Sequence, residues 1–209
     1  MTLYLGIDES IVTLKKYQNA FIYVGTFSKY DSQGEINQTK SKKIRTKTEF
    51  PLNCFNGLAG FLFGIFLFDQ KKPNTNEQQF ESVYTLIDEG IQGAQEVNIL
   101  DEYEDIAIEI DGHDNYRIGS SLNYSLSNLY ENRIHLQFIP HGDEKVKIIH
   151  SADMIAYALR GLKDIGSIDK NLYEKGIDVL LKDNDPKIKK ITPLHLGFKS
   201  RESIENKVA

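Results

Sequence analysis

Apolar side chains alternate with others from the start of the chain, where Leu3, Leu5 and Ile7 interleave with Tyr4, Gly6 and Asp8. A period of two predicts a strand whose two residue sets point to opposite faces of a sheet. A second strand is predicted over 20–27 (AFIYVGTF). The connection between the two is too short for a crossover helix, so the pair should be antiparallel. A polar stretch, 28–49, precedes the aromatic-rich segment 58–68 (LAGFLFGIFLF), a third strand candidate whose glycines would also admit a buried helix.

The period then changes. Phe80, Val83, Tyr84, Ile87, Ile91 and Ala94 recur at intervals of three and four, which predicts an amphipathic helix reaching about residue 97. Residues 106–111 (IAIEID) alternate strongly and are closed by Gly112. Ser120 or Ser121 is placed to cap a helix to about 131, with Leu122, Leu126 and Leu129 inward. The segment 134–139 (IHLQFI) is a fifth strand. Residues 151–163 (SADMIAYALRGLK) form a helix with Ile155, Ala158, Leu159 and Leu162 inward. A further helix covers 170–181, and the tail from 185 is basic and irregular.

Three strands in succession followed by helix–strand alternation describe an α/β protein. The expected architecture is a mixed five-stranded sheet flanked by helices, with a small C-terminal helical appendage. One domain over 1–209 is expected, with its core at about 2–165 and an extension over 166–209. No internal repeat or low-complexity linker divides it.

Composition narrows the class. With 209 residues, 40% apolar, the chain can bury a core without staples. Its single cysteine, Cys54, cannot form an internal disulfide and suits a reducing compartment. The most apolar run, 58–68, falls well short of the ~20 residues of a membrane helix. The opening MTLYLGIDES lacks the basic start of a secretory signal, so a cytoplasmic location is expected and no membrane partner. A net charge of −5, from 30 acids and 25 bases, excludes a wholly basic coat but allows a local basic groove.

Candidate chemistry lies in the carboxylates. Asp8 and Glu9 end the first strand as read here, Asp111 ends the fourth, and Asp153 falls in the first turn of the 151–163 helix. Singly, acids at strand ends are often solvated, and an acid in a first helical turn often complements the helix dipole. Jointly, they would gather at the edge beyond the strand ends, where open α/β sheets place their sites.

This order of elements and acids resembles the ribonuclease H-like superfamily. The opening GIDES is similar to the GIDEAG start of type-2 ribonucleases H, and HSADMIAYALRG (150–161) resembles the helix of the superfamily's GIDES-type members. The resemblance spans about 2–165. It implies a divalent-metal-dependent nuclease that hydrolyses phosphodiester bonds in RNA or DNA, with Mg²⁺ or Mn²⁺ held by Asp8, Glu9, Asp111 and Asp153. Asp8 would be the bridging carboxylate. Hard oxygen donors suit those cations, and mutual repulsion should raise the pKa of one or more acids. One departure matters: the chain continues Ser10-Ile11-Val12-Thr13-Leu14, without the glycine- and basic-rich loop of type-2 enzymes. That argues against selective cleavage at a ribonucleotide junction. Alternation also sends Asp8 and Glu9 to opposite faces, so Glu9 joins the site only if the strand ends or twists there.

Auxiliary candidates are Glu109, on the Asp111 face of its strand or simply solvated; His113, a proton carrier or part of a glycine turn; and Asp143, which follows the fifth strand. His150 reads as structural, and no paired zinc-ligand spacing exists. Lys40, Lys42, Lys43, Arg45 and Lys47 form a basic run that either holds phosphates or is a bare loop, with Lys187, Lys189 and Lys190 as a weaker patch. A catalytically inactive nucleic-acid-binding or protein-partner domain of the same fold is the alternative.

Overall fold

The central strand exists because both its faces are covered. The computed structural model describes residues 1–14, 17–28, 58–67, 76–96, 98, 100–113, 116–160 and 189–190. Strand β1 (Thr2–Leu14) pairs antiparallel with β2 (Tyr17–Ser28), which pairs antiparallel with β3 (Leu58–Leu67). The aromatic-rich third segment is therefore a strand. Helix α1 (Asn76–Glu96) then crosses to β4 (Asp105–Asp111), and α2 (Tyr116–Leu129) crosses to β5 (Ile134–Ile139). Both β4 and β5 run parallel to β1. The sheet order is β5-β4-β1-β2-β3, extended by a two-residue strand β6 (Lys189–Lys190) parallel to β3. The tail read as irregular thus contributes a short edge strand. The proposed 170–181 helix lies outside the described residues.

Helices α1 and α2 cover one face of the sheet. Leu3, Leu5 and Ile7 of β1 pack there with Leu86, Ile87, Leu122 and Leu126, in the cluster that includes Ile106, Ile108 and Ile110 of β4. The other face receives α3 (Gly142–Lys145) and α4 (Lys147–Leu159), with Tyr4 packed against Val146, Ile148 and Ile149. There the approach is unusually close. A Cβ on Gly6 would lie 2.6 Å from the main-chain carbon of Ile148, so only glycine fits beneath α4. Thr26 secures the contact by donating its hydroxyl to the Ile148 carbonyl at 2.7 Å.

Several boundaries differ from the sequence expectation, each for a local reason. Strand β1 does not end at Asp8 and Glu9; it pairs with β2 as far as Leu14↔Tyr17, whereas its pairing with β4 stops at Ile7↔Ile110. Helix α2 begins at Tyr116, ahead of the expected serine cap, and Leu129 at its end is half exposed instead of inward. Helix α4 begins at Lys147, so His150 and Asp153 lie within it and Asp153 is not in its first turn. Ser151 does not cap the helix; its hydroxyl donates back to the Lys147 carbonyl at 3.0 Å, as helical serines do. Ile155 and Leu159 are buried as expected.

Candidate functional site

Parity along the strands decides which acids share a face. On β1, Asp8 and Ser10 follow Gly6 toward α4; on β4, Glu109 pairs with Gly6 and Asp111 lies two residues further along the same face. The acids gather at the carboxyl end of β4, where its pairing with β1 stops at Ile7↔Ile110. Asp8 comes from β1, Asp111 from the end of β4, Asp153 from α4 and Asp143 from α3.

Asp8 is 7% exposed, and it feels all three of the others. Burial first, then the charge of Asp153, with smaller contributions from Asp111 and Asp143, pushes its carboxyl well above the usual carboxylate range. The Glu9 amide opposes this by donating to Asp8 Oδ1 at 2.6 Å. No cation among the described residues figures in this balance. The cluster concentrates acidic groups beside a close helix–sheet contact.

The loop after β5 is fastened to the same edge. His141 takes a left-handed backbone conformation (φ 57°), turning the chain so that the Gly142 amide donates to Asp111 Oδ1 at 2.6 Å. A Cβ on Gly142 would meet the Cδ1 tip of Ile149 at 2.5 Å and Asp111 Oδ1 at 3.2 Å, so a side chain there would displace the Ile149 tip and crowd the Asp111 carboxylate. His150, buried in α4, places Nδ1 3.1 Å from the Asp143 carbonyl and ties α3 to α4. His150 is thus structural in this arrangement.

Glu9 lies on the opposite face from Asp8 because β1 continues straight through both. Its carboxylate accepts a hydrogen bond from the buried Tyr23 hydroxyl, directly across the β1–β2 pair. Glu9 is solvent-exposed as a residue, but burial of its carboxylate beside Tyr23 raises its pKa, the Tyr23 bond lowers it, and Asp111 raises it again. Glu9 therefore reaches the same edge electrostatically from the other side of the sheet. Glu109 is buried, contrary to the solvated alternative; its Oε1 accepts from Gln137 Nε2 at 2.9 Å. It does not figure among the charges acting on Asp8. His113 is exposed at the mouth, its ring edge-on to that of His141 with centroids 6.3 Å apart. Lys40, Lys42, Lys43, Arg45 and Lys47 lie outside the described residues, as does Lys187.

Sequence patterning assigns no role to Tyr23 or to Ser10, whose hydroxyl accepts from Arg160 Nε at 3.0 Å. Ser10 was within reach of that patterning, standing two residues after Asp8 and therefore on the same strand face. Tyr23 could not be found without the β1–β2 register.

Among the described residues, no three His, Cys, Asp or Glu side chains close around one point as a metal cage would. A magnesium site does not require such a cage, because Mg²⁺ keeps several waters and commonly uses one or two carboxylates together with substrate phosphate. The donor set, all hard carboxylate oxygens and partly screened from water at Asp153 Oδ2, fits a hard divalent cation. Among the described residues, no helix is long and apolar enough to cross a membrane.

Sheet order, strand directions and the placement of α4 define a ribonuclease H-like α/β fold. No family model and no curated protein matches the chain. Among solved structures, the chain is similar to the crystal structure of ribonuclease H2 from Pyrococcus horikoshii OT3, at 13% identity and a TM-score of 0.38, covering 98% of this chain and 86% of that one. It is also similar to the structure of the PCNA:RNase HII complex from Archaeoglobus fulgidus, at 12% identity and a TM-score of 0.33, with the same coverage. At such distances the fold assignment stands on topology, not on these likenesses.

Proposed function

We propose that the chain is a divalent-metal-dependent nuclease that hydrolyses phosphodiester bonds in RNA or DNA. The observation that supports this reading best is the buried Asp8 carboxyl crowded by Asp153, Asp111 and Asp143, with no cation among the described residues acting on it. Such a cluster is disfavoured on its own and relieved by Mg²⁺ or Mn²⁺. Asp8, Asp111 and Asp153 would hold the metal, with Glu9 reaching in from the opposite face and Asp143 beside α4. When bound, the metal supplies water activation and stabilisation of the leaving oxygen. The chain's own residues hold the donors in place: the Gly142 amide orients Asp111, the Glu9 amide orients Asp8, and the Gly6–Ile148 contact sets α4 and Asp153 against β1. His113, exposed at the mouth, is available to carry a proton. The basic run from Lys40 to Lys47 would add phosphate contacts.

The test is cleavage of single-stranded, duplex and hybrid RNA and DNA by the full chain in Mg²⁺ and Mn²⁺, with EDTA as the blank. Metal-dependent cleavage that disappears in Asp8→Asn is the expected result; full activity in that variant would remove Asp8 from the site. The open arrangement of the carboxylates favours a second reading, a noncatalytic nucleic-acid-binding domain of the same fold. Binding without any cleavage across the panel would select it.

A further inference from the structure

One exposed basic side chain at the end of α4 is bonded to the strand that carries Asp8. Arg160 closes the C-terminus of α4, and its Nε donates at 3.0 Å to the hydroxyl of Ser10, which is 4% exposed and two residues beyond Asp8 on β1. Its guanidinium carbon lies 5.8 Å from the centre of the Tyr157 ring. Asp153, Tyr157 and Arg160 are spaced i, i+4, i+7, so an acid, an aromatic ring and a cation share one helix face. Among the described residues the guanidinium has no other protein partner, which leaves both terminal amino groups for a ligand. A helix C-terminus favours a cation in any protein. That accounts for a basic residue at this position, but not for its bond across to the strand that carries Asp8.

We infer that Arg160, held by Ser10 and Tyr157, is a phosphate-contacting residue for a nucleic-acid strand passing the Asp8–Asp153 edge. This inference rests on the nuclease reading above. The spacing fits it. Seven helical residues carry Arg160 about 10 Å along α4 from Asp153, on the order of three base-pair rises along a duplex axis at ~3.4 Å each. An edge lined by carboxylates repels a polyanion, and a cation fixed next to it supplies a specific point of attachment. Arginine suits this role better than lysine, because its planar fork keeps two donors free after Nε is engaged and stacks on a ring.

The experiment titrates fluorescent single-stranded, duplex and hybrid oligonucleotides with the full chain over a salt series in EDTA, and follows cleavage of the same panel in Mg²⁺ and Mn²⁺. Arg160→Ala should weaken binding roughly ten- to hundredfold, as expected for a charged hydrogen-bonded contact. It should flatten the slope of log affinity against log salt by about 0.7–0.9. Where cleavage is measured, KM should rise with kcat retained, since a uniform binding contact is removed. Arg160→Lys should restore the salt slope but not the full affinity. Ser10→Ala, a positioning change, should weaken binding in the wild-type background and add nothing in Arg160→Ala. Should Arg160→Ala lose its circular dichroism signal, Arg160→Gln carries the same expectations. Unchanged affinity and salt slope in a folded Arg160 variant, with a wild type that binds or cleaves, overturn this inference and leave the nuclease reading standing. A wild type that neither binds nor cleaves any member of the panel overturns both.

Discussion

The two faces of β1 achieve burial by different means. Toward α1 and α2, Leu3, Leu5 and Ile7 are fully buried and separate sheet from helix by their own side chains. Toward α4, Gly6 presents no side chain at all, and the Ile148 main chain rests almost on the strand. The first face is ordinary apolar packing. The second draws a helix so close that small polar residues, Asp8 and Ser10, are buried and face that helix's acid and base. One strand thus serves as core on one side and as a charged edge on the other, and residues one position apart have opposite duties.

The largest expected effect lies on the apolar face. Leu5→Ala leaves a cavity between β1 and the helices, costing about 2–5 kcal/mol. Urea unfolding should show a lower midpoint at an unchanged slope. Nucleic-acid affinity of the folded fraction should stay as in the wild type; a matching loss of affinity would show that the two faces are not independent.

Next is Asp8→Asn, which acts in the opposite sense on stability. Cleavage should fall at least about a hundredfold, since even outer-shell changes at metal sites cost ~10–100-fold. The fold should become more stable at neutral pH. Asp8 titrates well above its ordinary value of 3.8, so the folded chain holds that proton more tightly than the unfolded chain. Its stabilising contribution is present below pH 3.8 and is lost as pH rises through the folded value. Wild-type stability should therefore decline from the acid side toward neutrality more steeply than that of Asp8→Asn. Melting curves across that window check the sign, and parallel profiles would mean that Asp8 is not under strain.

Gly6→Ala tests the close contact itself. The added methyl meets main chain rather than a flexible side-chain tip, so α4 must shift at a cost of about 1–3 kcal/mol. Because Asp153 travels with α4, cleavage should fall even at temperatures where the variant is fully folded.

The alternation of Leu3, Leu5 and Ile7 with Tyr4, Gly6 and Asp8 was enough to place Asp8 opposite the main core, and the order of elements was enough for the mixed five-stranded sheet. What period and spacing do not carry is where pairing stops. Asp8 was read as the end of a strand, whereas β1 runs on to Leu14 and only its β4 neighbour ends. Asp153 falls in a first turn only if the helix starts at residue 151, as the apolar spacing of 151–163 suggests. The apolar run Val146, Ile148 and Ile149 instead packs on the sheet and carries the helix upstream. Tyr23 was read only as strand material, because its link to Glu9 depends on a register joining residues fourteen apart in sequence.

That link gives the smallest and sharpest test of the comparison. Glu9 stands where the apolar face of β1 runs out, and its carboxylate is held by the hydroxyl of Tyr23, a ring packed edge-on against Phe66 at 5.7 Å. Tyr23→Phe keeps the ring in place and removes only the donor, so the stability loss should be about 1 kcal/mol. The Tyr23 bond lowers the Glu9 pKa against burial and Asp111, so its removal should raise that pKa further. A site that needs ionised Glu9 would then lose cleavage at acid pH earlier than the wild type, with the acid limb of the rate profile moved upward and the neutral plateau retained. If the acid limb stays where it is while Glu9 titrates higher by carbon NMR, Glu9 belongs with the structural face of the strand, and Asp8, Asp111 and Asp153 carry the chemistry without it.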